Sequence, residues 1–398
     1  MPREHQGPLA RLRRGHEELV LRLLRTHGPL SRAELGRLSG LSRTTLYDIV
    51  GALVDGGAVV ATAPAAAERR RGRPVETLSL HPGAGQAVGI DFARRAVHVA
   101  AVNVAHEVVG SASETHPAEL DWPERVRLAE RLVAGLGGGT LRLGALSGIG
   151  VGVVGPVGTP RPGAEGTGGP EGAGGAADRT DLPVLLGKRF GAPVLVDNNT
   201  RLAALAEATW GAATGAQDVL YLRLSHGVGG GLVVGGALHR GAYGLSGELG
   251  HITAEPDGRR CSCGKDGCLE TVASVGAVLR AHGGAADLAA FLAALPHDPA
   301  AARVLDEVGT HVGTVLAAVC NALGPEVAVL GGELAAAGPA LFDPVERALH
   351  AHLMPVSRAR GRLRPATLGE AAGALGAIAL VLHESPLLDR YPAPDSLE

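Results

Sequence analysis

Cysteine, aromatic residues and lysine are all scarce in this 398-residue chain, which has four Cys, four Phe, four Tyr, two Trp and two Lys. Four cysteines, three of them crowded into residues 261–268, do not make the spread framework of a disulfide-stapled secreted domain. No apolar run reaches about 18 residues, because Gly, Pro and charges punctuate each one, so no helical membrane span is expected. The opening MPREHQGPLARLRR lacks the apolar centre of a signal peptide, and a cytoplasmic protein is expected. Apolar material is ample, at 45% of residues, and the length exceeds what one core usually supports. Two or three domains are therefore expected.

Charge is unevenly placed. Met1 to Arg73 carries 13 Arg, no Lys and 7 acidic residues, a net +6, so the remainder holds −9 of the chain's overall −3. Only the front end suits a polyanion such as nucleic acid.

That front end has helical punctuation. Leu19, Val20, Leu23 and Leu24 recur at helical spacing up to a stop at His27-Gly28-Pro29. Ser31-Arg32-Ala33-Glu34 is a capping-box pattern that opens a second helix, with Leu35 and Leu38 inward. After a turn at Gly40, Ser42 is an N-cap for a third helix striped by Leu46, Ile49, Val50 and Leu53. Three short helices with a Gly turn before the last describe a helix-turn-helix, whose third helix offers its N-terminal side chains to the major groove. Ser42, Arg43, Thr44, Thr45 and Tyr47 are the candidate contacts with double-stranded DNA. Ala58 to Thr62 reads as a wing strand, and a protein-binding three-helix scaffold is the alternative.

Residues 65–82 read as a basic linker. Within it Arg71-Gly72-Arg73-Pro74 is similar to an AT-hook core, in which Arg71 and Arg73 would enter a narrow minor groove. The other reading is a solvated connector with incidental arginines.

From about Ala87 the text becomes α/β. Strand-like runs at 87–91, 97–102, 148–157, 193–197, 219–224 and 327–330 alternate with Ala-rich helices. Later, His251 precedes Cys261-x-Cys263-x4-Cys268. One imidazole and three thiolates suit tetrahedral zinc, and four protein ligands leave no place for a reactive water, so such a zinc is structural. Unliganded or redox-active cysteines are the alternative.

Gly247-Glu248-Leu249-Gly250-His251 followed by Cys261-Ser262-Cys263-Gly264-Lys265-Asp266-Gly267-Cys268-Leu269-Glu270 resembles the signature of the ROK family of bacterial repressors and sugar kinases. The Gly-Arg-Pro stretch, Val196 to Glu207, Gly227 to Gly247 and Pro325 to Gly332 fall in that family's order. The resemblance implies a two-lobed actin and hexokinase-like body with ligand in the cleft, and assembly as a dimer or tetramer. It implies sugar-hydroxyl contacts at Asn198, Glu248, His251 and Glu270. Carboxylates suit that role because they accept pairs of hydroxyl donors.

Against the family's kinases the chain departs at two places. The register set by Ala203, Ala204 and Glu207 puts Asn199 at the base position, and a carboxamide cannot take a proton. A one-residue shift would offer Asp197 instead. The family's first phosphate loop, Asp-x-Gly-Gly-Thr, is here Asp91-Phe92-Ala93-Arg94-Arg95. A second Gly-rich stretch, His226 to Gly231, and a turn at Leu330 to Glu333 remain. The sugar-closing loop also differs, since Pro162 to Ala177 is mostly Gly, Ala and Glu.

The expectation is therefore an α/β protein with a winged helix-turn-helix at 1–64, a linker at 65–82 and a ROK body at 83–398. Within the body a small lobe spans about 83–200 plus the C-terminal helix, and a large lobe about 201–370. The expected function is a ROK-type transcriptional regulator, a repressor that senses a sugar or related effector without catalysis. The alternative is an ATP-dependent sugar kinase with an appended DNA-binding domain.

Overall fold

The computed structural model describes residues 8–55, 58–62, 76–81, 86–102, 108–136, 146–157, 182–357 and 362–384. Arg71, Arg73 and the segment Pro162 to Ala177 lie outside them.

Helix α1 (Pro8–His27), strand β1 (Leu30–Ser31), helices α2 (Arg32–Ser39) and α3 (Arg43–Asp55), and strands β2 (Val59–Thr62) and β3 (Thr77–Leu80) form the N-terminal unit. The capping box at the head of α2 is complete: Ser31 Oγ accepts the Glu34 amide and the Glu34 carboxylate accepts the Ser31 amide. Gly40, at φ 67°, ends the helix in the left-handed region that an L side chain resists. Val20, Leu24, Leu35, Leu46, Ile49, Val50, Leu53 and Leu78 fill the core. Leu38, expected inward, is instead 40% exposed, because this two-turn helix buries only Leu35.

The small sheet runs β1-β3-β2, with β2 and β3 antiparallel and Thr62 opposite Thr77. Strand β3 lies inside the stretch expected as a linker, since Leu78 is fully buried in the N-terminal core. The Arg-rich run 69–73 thus falls in sequence between two paired strands, and only residues 81–85 separate β3 from the next strand.

Two five-stranded sheets build the body. The first is ordered β6-β5-β4-β7-β8, from β4 (Gln86–Phe92), β5 (Ala96–Val102), β6 (Val108–Thr115), β7 (Leu146–Val153) and β8 (Val194–Asn198). Helices α4 (Trp122–Gly135) and α5 (Leu182–Phe190) accompany it, and α6 (Asn199–Thr209) follows β8 directly. The second is ordered β11-β10-β9-β12-β13, from β9 (Val219–Leu224), β10 (Val228–Val234), β11 (Ala237–Leu238), β12 (Val327–Gly331) and β13 (Arg362–Pro365). Between β11 and β12 come α7 (Leu269–Ala273), α8 (Val275–His282), α9 (Leu288–Ala294) and α10 (Pro299–Leu323); α11 (Pro339–His352) then precedes β13. Each sheet is an antiparallel three-strand meander extended by two parallel strands, so the two lobes share one topology.

The last helix, α12 (Ala372–Glu384), is apolar nearly all round and buried from Ala372 to Val381. It lies on β4 and β7 of the first sheet and against α6. Glycine makes this seat. Gly89 and Gly150 are paired on adjacent strands, and a Cβ on either would stand 1.9 Å from a carbonyl oxygen of α12. Van der Waals contact forbids that approach, so any side chain there would lift the helix off the sheet.

Candidate metal centre and effector cleft

The segment 247–270 has little regular structure of its own. A single 3-10 turn, Leu249–His251, leads to two isolated bridges, Thr253 with Cys268 and Arg260 with Asp266. Backbone bonds from the Cys261 amide to Lys265 O (2.8 Å) and from the Gly264 amide to Cys261 O (3.0 Å) fold the cysteine run into a knuckle. Lys265 Nζ clips it to His251 O at 2.7 Å.

These turns bring one ligand atom each from His251, Cys261, Cys263 and Cys268 within 4.8 Å of one another. Cys261 Sγ stands 3.6 Å from His251 Nδ1, and Cys263 Sγ 3.6 Å from Cys268 Sγ. A tetrahedral zinc with bonds of about 2.3 Å to sulfur and about 2.0 Å to nitrogen gives edges of about 3.8 Å between sulfurs and about 3.6 Å from sulfur to nitrogen. Two of the edges thus match a tetrahedral site, and the four side chains could hold a metal ion. Hydrogen bonding to the Lys265 backbone holds the exposed Cys263 thiol below its ordinary value, whereas burial pushes the Cys268 thiol up to about 12.

The start of β10 is where three of the expected site's elements meet. Glu270 Oε2 accepts the Val228 amide at 3.0 Å. A Cβ on Gly250 would strike Val228 O, one on Gly230 would strike Leu249, and one on Gly229 would press on Thr200. Gly229 and Gly230 of β10 therefore serve close packing. They draw together the loop bearing Glu248 and His251, the head of α7 with Glu270, and the head of α6 with Asn198. Asn198 is already engaged as the N-cap of α6, accepting the Thr200 and Arg201 amides at 2.9 and 3.0 Å and donating to Gly155 O at 2.9 Å. Glu248 makes no capping bond, and with Nδ1 of His251 turned to Cys261, Nε2 is that ring's other polar atom.

Asp197, Asn199 and Asp91 engage other groups of the chain. Asp197 is 1% exposed and its carboxylate is shared between Arg201, at 2.7 Å from Nε, and Arg240. Each of its two oxygens thus meets a guanidinium group. Arg201 is itself buried; it also donates to Val157 O (2.8 Å) and Gly244 O, and Arg240 continues to Glu384 at the end of α12. Asn199 is buried and donates to Asp91 Oδ1 at 3.1 Å. Burial raises the Asp91 carboxyl above its usual range despite Arg223 and His98 nearby. Asp91-Phe92-Ala93-Arg94-Arg95 forms the close of β4 and a tight turn into β5, with Phe92 buried edge-on against Trp122 and both arginines exposed.

Arg201, Arg240 and Glu384 were missed by sequence reasoning. The i, i+4 spacing of Asp197 and Arg201 was a usable signal; Arg240 and Glu384 are too distant in sequence to give one.

In the N-terminal unit, Arg43, Thr44 and Tyr47 are exposed on α3. Ser42 and Thr45 are tied up in the cap, with Ser42 Oγ accepting the Thr45 amide (3.1 Å) and bonding Thr45 Oγ1 (2.8 Å). No described helix is long and apolar enough to cross a membrane.

Comparison with known proteins places this architecture. The sequence is 28% identical over 376 residues to the DNA-binding transcriptional repressor Mlc of Escherichia coli K12, covering 88% of each chain. It is 25% identical over 391 residues to the xylose repressor of Bacillus spizizenii, covering 92% of this chain and 95% of that one. A glucokinase of Halalkalibacterium halodurans is 37% identical over 218 residues, which is 50% of this chain and 66% of the kinase, just under two thirds of its length. Among solved structures, a ROK family transcriptional regulator homologous to E. coli Mlc superposes with TM-score 0.77 at 25% identity, over 96% of this chain and 99% of that one. The ROK glucokinase of Streptomyces griseus, in complex with glucose and AMPPNP, gives TM-score 0.62 at 26% identity over 74% of this chain and 99% of its own. The body therefore has the two-lobed, actin and hexokinase-like fold. The ROK family profile matches residues 88–384, well over half the sequence, and the chain belongs to the ROK family.

Proposed function

We propose that this chain is a ROK-type transcriptional regulator, a repressor, in which the winged helix-turn-helix binds operator DNA and the body senses a sugar or related small molecule. The observation that carries the reading is the similarity to repressors along nearly the whole chain, N-terminal unit included, while kinases of the same family match over about three quarters or less. Arg43, Thr44 and Tyr47 are the base-facing candidates. Ser42 and Thr45 cap the N-terminus of α3 beside them, and Arg71 and Arg73, in the run between β2 and β3, are candidates for the minor groove.

The body acts as a binding module. With Asn199 at the base position, Asp197 held between two arginines and a closed hairpin at Asp91 to Arg95, proton transfer and phosphate binding lack their groups. Asn198, Glu248, His251 and Glu270 remain as a polar set for sugar hydroxyls. Zinc on His251, Cys261, Cys263 and Cys268 has a structural role, fixing the loop that carries two of them. A ligand that prefers one lobe arrangement shifts the population that binds DNA, and two-fold assembly predicts a palindromic operator.

Two measurements on the purified full chain test this. Selection from a random duplex library is expected to enrich a palindromic sequence. A coupled ADP-release assay across a sugar panel with ATP is expected to stay at background, and sugar-dependent turnover abolished by Asn199→Ala would establish the kinase instead.

A further inference from the structure

One arginine of the N-terminal unit is largely covered by its neighbours, its side chain 25% exposed. Arg32, the first residue of α2, has its guanidinium carbon 4.5 Å from the centre of the Tyr47 ring on α3. Its Nε donates to Glu76 Oε2 at 3.0 Å, across 44 residues of sequence. Glu76 immediately precedes β3, so it stands at the root of the wing. Arg32 Nη1 is shielded from water and has no hydrogen-bond partner among the described residues. A shielded, unbonded guanidinium nitrogen is costly, and the electron-rich face of Tyr47 is the group placed to offset it. The side chain is thus held on both sides, by charge at the wing and by stacking at the recognition helix.

We propose that Arg32 is a positioning residue, a strut that fixes the orientation of Tyr47 on α3 against the root of the wing at Glu76. The proposal rests on the reading of α3 as the DNA-recognition helix and deepens it. Tyr47 is 56% exposed, so its ring has one face on Arg32 and the rest of its surface open. An aromatic side chain that must meet a base edge or sugar gains by having its rotamer set beforehand, since the ordering cost is then already met in the free protein. Anchoring the strut to the wing makes the two DNA-facing elements present themselves as one surface. Arg32 itself need not touch DNA.

The sign of one substitution separates this from simple electrostatics. Glu76→Gln removes a negative charge beside a basic DNA-binding surface, and charge alone predicts tighter binding to every duplex. The strut predicts the reverse for the cognate site. The probes are a duplex enriched from a random library by the wild-type chain and a scrambled duplex of the same composition, with fluorescence anisotropy as the readout. Glu76→Gln is expected to weaken the enriched duplex by about threefold to tenfold, the scale of one cation–π contact, without weakening the scrambled one. Arg32→Lys, which keeps the charge and loses the flat guanidinium, is expected to do the same with an unchanged salt slope; a lost phosphate contact would lower that slope by about 0.9. In a Tyr47→Ala background neither change is expected to cost anything further. Equal tightening of both duplexes by Glu76→Gln, or additive losses with Tyr47→Ala, would overturn the strut while leaving DNA recognition standing. Failure of the wild-type chain to enrich any duplex would remove the regulator reading, and the strut's role with it.

Discussion

Asp91 is a carboxylate kept where a carboxylate is poorly tolerated. It is 2% exposed, and its one described side-chain bond is from the Asn199 amide at 3.1 Å. Burial raises its folded-state pKa above the unfolded value, which means the folded form favours the proton. Stability is then lost as pH rises from the unfolded pKa through the folded one, because the unfolded chain ionises more readily. Asp91→Asn removes that loss and still offers an oxygen to Asn199. The variant is expected to melt above the wild type at pH 8, with the gap closing toward pH 5, as scanning calorimetry at the two pH values would read. A gap that widens on acidification would show that the charged form is the one the fold stabilises. At this scale the sequence was partly legible. That a carboxamide, Asn199, follows Asn198 could be read from the sequence alone. The fate of Asp197 could not, because it depends on Arg240, 43 residues away, which only the second lobe brings to it.

Elements were readable in proportion to how far their pattern was local. The buried strands β4, β5 and β9 stand out as apolar β-branched runs, and the caps of α2 and α3 as Ser followed by a turn of helix formers. β6 was missed because five of its eight residues are exposed. β10 is absent from the strand-like runs because Gly229-Gly230-Gly231 suppresses the strand signal, although the same glycines let α6 and the loop 247–251 close on it. The His251 and cysteine cluster was the clearest motif, since its residue types and spacing stand together in one short stretch. Its geometry also argues dependence on metal, as two bridges and one 3-10 turn are little to order 24 residues. Cys268→Ser is expected to reduce zinc from one per chain to below one by atomic emission. Hydrogen exchange is then expected to rise first across 247–270 and the amide of Val228, which Glu270 accepts, with α1 to α3 unaffected. Full zinc occupancy in that variant, or unchanged exchange in a zinc-free one, would remove these four residues as a metal site.

For the whole molecule, the decisive distance is the connection between the DNA-binding unit and the body. The basic stretch that resembles a flexible linker lies between two paired strands, which leaves residues 81–85 to join β3 to β4. A five-residue connection gives two units little freedom, whereas a chain of some fifteen would let each wander over roughly 20 Å. If the bodies form the two-fold assembly, the short connection fixes how far apart the two recognition helices stand, and the operator's half-site spacing becomes a property of the body. Moving the half-sites apart by about 5 base pairs turns one to the opposite face of the duplex, and the wild-type chain is expected to lose the gain from binding both at once. Inserting ten Gly/Ser residues between His81 and Pro82 is expected to restore binding to the respaced duplex while lowering affinity for the original one, because the effective concentration of the second unit falls as its tether lengthens. Anisotropy titrations of both proteins on both duplexes give the four affinities. Equal tolerance of respacing by the wild type and the insertion variant would mean that the two units bind independently, and that whatever the cleft senses must reach DNA by a route other than the geometry of this connection.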